Sequence, residues 1–156
     1  MLGGALLVSA GLVTGCTGGS VQSRDVSQWV DGVSAEDIAR SMQVRVPASA
    51  SDVKAAYQKG FQDDQLLLAF VLPAAEVDGF LAQLKPTEPV KAGPKSFAGP
   101  EPVAPFAHIG LPEPDSVAGV RTAQVCAPCA GDVDFMHVAV AQVDERTSRV
   151  YLQATD

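Results

Sequence analysis

Cys126-Ala127-Pro128-Cys129 is the pair whose residue type and spacing could most directly do chemistry in this chain. Two thiols three positions apart allow three uses. They can close a structural disulfide across a tight turn, where so short a loop contributes only ~2 kcal/mol in the chain-entropy account. They can act as a redox dithiol, which needs the first Cys at a helix N-terminus, where the backbone dipole lowers the thiol pKa. They can also supply half of a zinc site, completed by the imidazoles of His137 and His108, with copper a poorer occupant.

The flanking residues weigh on each use. Cys129 is followed by Ala130-Gly131-Asp132 and then a strand pattern. The helix that would activate Cys126 is therefore not in the pattern, and Asp132 and Asp134 disfavour a reactive thiolate. His108 lies in a proline-rich stretch and His137 in the middle of a strand pattern, where a lone His is more often a packed or surface residue.

Other candidates are weaker. Asp63-Asp64 could pair as acid and base or help hold a cation, and Asp144-Glu145 likewise, but both read first as solvated turn residues. There is no GxSxG elbow, no phosphate loop and no HExxH helix. The expectation is a non-enzymatic chain without a cofactor. Lys plus Arg number 11 against 18 Asp plus Glu, a net charge of -7. That balance leaves too few cations to grip nucleic acid through its phosphates.

Residues 1–15 carry no charged side chain and contain the apolar run Ala5-Leu6-Leu7-Val8. Fifteen residues of helix span roughly 22 Å, short of the ~30 Å hydrocarbon core, so the segment reads as a processed signal peptide before a membrane span. It ends Leu12-Val13-Thr14-Gly15-Cys16, which resembles the lipobox of bacterial lipoproteins. The resemblance covers only these first sixteen residues. It implies cleavage before Cys16, lipidation of the Cys16 thiol with fatty acyl chains such as palmitate, and a place on the extracytoplasmic face of the cell membrane. With Cys16 taken, Cys126 and Cys129 are the two thiols left in an oxidising compartment, and a structural disulfide between them becomes the leading use. Thr17-Gly18-Gly19-Ser20 suits a tether, expected over residues 16–33.

The elements that must position these groups follow from periodicity. Ser34 and Asp37 form a capping-box pattern ahead of a short helix over about 35–41. Met42, Val44 and Val46 alternate with Gln43 and Arg45, which predicts a strand closed by Pro47. Ser49 and Asp52 repeat the capping pattern, and Val53, Ala56, Tyr57 and Phe61 at helical spacing predict a helix. Leu66 to Leu72 is a continuous apolar run, the mark of a strand buried on both faces and central in its sheet. Val77, Phe80, Leu81 and Leu84 predict an amphipathic helix behind Pro73.

Six of the eleven prolines then fall at 86, 89, 94, 100, 102 and 105, a crossover expected to be extended. Residues 120–126 and 135–143 predict strands, and 149–155 returns across a polar turn over 144–148. In the second strand Val138, Val140 and Gln142 share one face and Phe135, His137, Ala139 and Ala141 the other. In the third, Val150, Leu152 and Ala154 point inward. Residues 34–156 thus read as one two-layer α+β domain. It has a mainly antiparallel sheet of four to five strands, with two to three helices on one face. The functional expectation is a lipid-anchored extracytoplasmic module that binds a protein, peptide or envelope component. The alternative is a redox or metal-handling lipoprotein using Cys126 and Cys129.

Overall fold

A computed structural model describes residues 28–60, 62–93 and 104–156. The expected signal segment and tether up to residue 27, Cys16 among them, and Phe61 lie outside the described residues. The architecture is α+β, built on a single antiparallel sheet. Its strands are β1 (Gln28–Trp29), β2 (Ser51–Lys59), β3 (Gln65–Pro73), β4 (Lys91–Ala92), β5 (Arg121–Cys126), β6 (Phe135–Gln142) and β7 (Thr147–Thr155). Their spatial order is β1-β2-β3-β7-β6-β5-β4, so the sheet has seven strands and not four or five. Three strands are not expected from the sequence: β2, which reads as a helix, and the two-residue edges β1 and β4, too short to leave a periodic signal; one expected strand, 42–46, is absent. Helices α1 (Ala35–Ser41) and α2 (Val77–Leu84) are the two α-helices among the described residues.

Strand β3 is apolar on every side because both of its faces are covered. Leu66, Leu68, Phe70 and Leu72 point toward the helices, where they meet Ile38 and Ala39 of α1 and Val77, Phe80 and Leu81 of α2. Phe80 stands edge-on to Phe70, with ring centroids 5.2 Å apart, a favoured aromatic geometry. Leu67 and Ala69 point the other way, into a second cluster with Ala139, Ala141 and Tyr151. Among the described residues no α-helix covers that face. The chain returning from the crossover does so, through two 3-10 turns at Pro105–Ile109 and Pro114–Ser116. Phe106 is fully buried there, edge-on to Tyr151 at 5.1 Å. β7 occupies the middle of the sheet, with β3 beside it.

Two elements differ from expectation. Residues 42–46 are not a strand. α1 ends in a Schellman motif: Val44 N–H donates to Ala39 C=O at 2.8 Å and Gln43 N–H to Arg40 C=O at 3.0 Å, with Gln43 in the left-handed region at φ 54°. Met42 and Val44 are buried as the apolar contacts that accompany such a cap, which is why they alternate with polar neighbours. Residues 51–59 are a strand and not a helix. β2 pairs with β3 from Ser51↔Val71 to Gln58↔Gln65, completing the ladder of a strand that is buried on both faces. That non-local demand outweighs the helix preference of Ala55 and Ala56. Ser49 caps nothing; its hydroxyl donates to the Glu76 carboxylate.

The first capping box is present as expected. Ser34 Oγ accepts from Asp37 N–H at 3.0 Å. The C-terminal hairpin also forms, its first strand one residue shorter and its second two residues longer than expected, and Asp144 shapes its turn by accepting from the Arg146 and Thr147 N–H groups, both at 2.8 Å. Residues 28–33, expected within the tether, include sheet residues. Val30 N–H donates to Tyr57 C=O at 2.9 Å, and Trp29 stacks flat on His108 at 4.1 Å. Of the crossover, residues 94–103 lie outside the described residues.

Phe106 is the keystone of the helix-free face. Phe106→Ala is expected to destabilise by ~3–5 kcal/mol, read by chemical denaturation. A loss below ~1 kcal/mol would show that this face is not packed by the 104–120 segment.

Candidate functional site

Cys126 ends β5 and Cys129 follows in the turn to β6. Their Cα atoms lie 4.9 Å apart and the two sulfurs are bonded. Both side chains pack against the helix-facing core. No helix starts at Cys126; the chain turns and enters β6, with Cys129 N–H donating to Asp134 C=O at 3.2 Å. The pair therefore staples a turn between two strands. Gln43 of the α1 cap donates to Ala130 C=O at 3.1 Å, joining that turn to the helical layer.

The two histidines sit elsewhere. His137 shares a face with Ala139, opposite the side taken by Met136 and Cys126, and packs on Phe135 at 4.2 Å. His108 is stacked on Trp29 of β1. β1 and β5 are five strand spacings apart, or about 24 Å at ~4.8 Å each. The Cys126, Cys129, His137, His108 set is thus not brought together. Among the described residues, no group of three or more His, Cys, Asp or Glu is placed to hold a metal ion.

Of the Asp63-Asp64 pair, Asp63 is exposed and Asp64 is engaged. Asp64 accepts the Tyr57 hydroxyl and the Gly60 N–H, the latter at 2.8 Å, and so closes the β2–β3 turn. The Tyr57 hydroxyl bond first, then that of Gly60, holds the Asp64 carboxyl below the usual range. The same bond, aided by burial, pushes Tyr57 up to about 12. Asp64 is a turn-building group, not half of an acid–base pair.

A further site emerges on the helix-free face, from residues that sequence reasoning missed. A cleft of about 420 Å³ opens between the ends of β2, β6 and β7 and the loop that follows the first 3-10 turn. Its charged lining is Asp52, Lys54 and Arg149; Leu111, Val117, Val143 and Tyr151 supply apolar surface. Arg149 Nη2 donates to Asp52 Oδ2 at 2.6 Å, and Lys54 Nζ lies 3.9 Å from Asp52 Oδ1. Asp52 reaches this position because β2 carries a bulge between Ser51 and Lys54, with Asp52 in the left-handed region at φ 46°. Bulges re-aim side chains in this way.

Half-buried Glu113 stands near the cleft, accepting the Ala107 N–H at 3.0 Å. Burial raises its carboxyl above the ordinary range. Burial likewise keeps the Tyr151 hydroxyl protonated, partly offset by Arg149. No sequence signal marks the site: Thr147, Arg149, Gln153 and Thr155 alternate with Val150, Leu152 and Ala154, so Arg149 reads as an ordinary outward position, and only the structure shows that side of β7 to be covered too.

No protein-family model matches the chain, and neither does any curated protein or solved structure.

Two measurements follow from this geometry. Replacing Cys126 and Cys129 together by Ser is expected to lower stability by ~1–3 kcal/mol and leave the fold intact. An unchanged denaturation midpoint, with loss of a thiol-exchange activity or of a bound metal, would favour the redox or metal alternative. For Asp64, a lowered folded-state pKa stabilises fully above the unfolded carboxylate value near 3.8, and this contribution is lost as pH falls through the folded-state value. Tyr57→Phe is therefore expected to cost ~1 kcal/mol at neutral pH, with the gap closing in acid. A gap constant from neutral to acid pH would contradict the assigned bond.

Proposed function

We propose that this chain is a lipid-anchored extracytoplasmic module that binds a ligand or envelope component and carries out no catalysis. The observation that carries the reading is the cleft on the helix-free face. It is built on rigid strands, it is open, and its charged lining is engaged in ion pairing: Asp52 accepts from Arg149 and lies beside Lys54. The sheet's fully buried strands hold the cleft walls in place, as recognition requires.

The anchoring half of the reading rests on Leu12-Val13-Thr14-Gly15-Cys16. Several acyl chains on one Cys hold firmly, since each buried CH₂ contributes ~0.8 kcal/mol. A body with a net charge of -7 is repelled by an anionic membrane surface, so the lipid holds the protein while the charge keeps it clear. Eleven residues separate Cys16 from Gln28, a reach of at most about 40 Å.

Cys16→Ser is expected to abolish acylation and release nearly all of the protein from the membrane fraction, leaving the precursor uncut. Metabolic labelling with a palmitate analogue, followed by fractionation, reads both. Continued labelling of the Ser variant would remove the anchor from the reading.

A further inference from the structure

β7 runs through the middle of the sheet, yet one of its inward positions carries a guanidinium. Arg149 pairs in register with Val71 of β3 and Ala141 of β6, both apolar, and its side chain is only 16% exposed. A guanidinium stays charged at any physiological pH, so burial cannot neutralise it. It presents a planar fork of five N–H donors. Among the described residues its ionic partner is Asp52, reached by one nitrogen. Lys54 shares the same carboxylate. The side chains that line the cleft thus carry two cations against one anion, with Glu113 nearby, in a chain whose net charge is -7.

The backbone supplies a second, independent observation. Asp52 adopts a positive φ that a side chain rarely takes, at the bulge that brings it under Arg149. Across the cleft Gly110 stands at φ 70°, and a Cβ there would lie 4.0 Å from Lys54 Nζ. The lysine tip therefore sits against a wall without a side chain, at the mouth of the space that Leu111, Val117 and Val143 line. Val143 is 53% exposed, an apolar surface with no cover of its own.

Resting on the reading of the chain as a binding module, we infer that the cleft takes a carboxylate carried on an apolar stem. The carboxylate seats on Arg149 and Lys54, and the stem lies along Leu111, Val117 and Val143. The one net positive charge of the lining side chains neutralises a monoanion, whereas a phosphate dianion is left with an uncompensated charge. The planar fork matches a carboxylate's two oxygens. A cleft of about 420 Å³ falls in the lower part of the range for small-molecule sites. The carboxylate can come from a free acid or from the C-terminus of a peptide.

Titration calorimetry on the full chain in detergent distinguishes these sources, with hexanoate as one probe and the free acid of N-acetyl-Ala-Val-Leu as the other. Their neutral amides are the controls. At least one acid is expected to bind and neither amide. Binding of hexanoate assigns a free acid, and binding of the peptide alone assigns a C-terminus. Arg149→Gln is expected to weaken the acid at least tenfold, and Arg149→Lys to recover part of that. Asp52→Asn is expected to tighten binding several-fold by removing the competing anion, an effect that a purely structural ion pair would not produce. If Arg149→Gln does not fold, Lys54→Gln takes its place with an expected loss of about threefold. Equal binding of acid and amide, weaker binding on Asp52→Asn, or no binding of either acid at millimolar concentration by the folded protein overturns the assignment. None of these outcomes touches the anchor, which the palmitate experiment decides separately.

Discussion

The ladder between β3 and β7 is the constraint on which the rest of the structure depends. Nine register pairs run from Gln65↔Thr155 to Pro73↔Thr147 without a break. They join the first β-hairpin and helical segments to the C-terminal meander across the whole proline-rich crossover. Without this seam the sheet falls into a β1-β2-β3 piece and a β7-β6-β5-β4 piece, each ending in a two-residue edge strand. Small pieces of that kind are marginal in water. Closing a non-local seam costs loop entropy before its contacts form, so the long separation between β3 and β7 opposes the pairing that the sheet requires.

Burying β3 and β7 in the middle of the sheet obliges the chain to cover both faces. The two helices cover one. On the other, the segment 104–120 contributes Phe106, Leu111 and Val120 from irregular chain, with prolines at positions that open 3-10 turns. Proline is suited to this role, because its fixed φ suits the first position of a turn and it brings no N–H needing a partner. The disulfide and the Gln43–Ala130 bond work at the opposite corner, where the β5–β6 turn meets the α1 cap. The acidic side chains engaged by backbone serve locally: Asp144 and Asp64 each receive N–H groups of a turn, and Glu113 one from the 3-10 turn.

This division explains what was legible from residues alone. The strands β3, β6 and β7, helix α2 and the Ser34 cap were readable because each is declared by its own periodicity or by a side chain bonding within four positions. The Met42–Val46 alternation misled because the apolar contacts of a Schellman cap also recur every second residue. The 51–59 segment misled because its conformation is decided by β3, which it meets only after the turn. The Cys126–Cys129 pair was readable because three residues of separation leave few geometries. The cleft was not readable at all. Its residues come from the bulge in β2, the loop over 110–117, the end of β6 and the start of β7, and only the β3–β7 register brings Asp52 to Arg149.

That same register makes Arg149 hard to explain by stability alone. An ion pair between a mostly covered guanidinium and a half-exposed carboxylate contributes ~0–1 kcal/mol at best, and a valine or leucine at that position would pack on Val71 and Ala141 at no desolvation cost. The neighbouring positions of β7 are Val150, Tyr151 and Leu152, all buried, so an apolar side chain at 149 is what the sheet's own packing favours. The fold instead keeps a permanent charge there, bulges β2 to bring one carboxylate beneath it, and leaves a second cation at the mouth. Each of these features weakens the sheet slightly, and together they gather three charged side chains at one spot of the helix-free face. A charge held at some cost in a rigid, open cleft is a preorganised contact: the desolvation has already been met in folding, and an incoming anion need not meet it again.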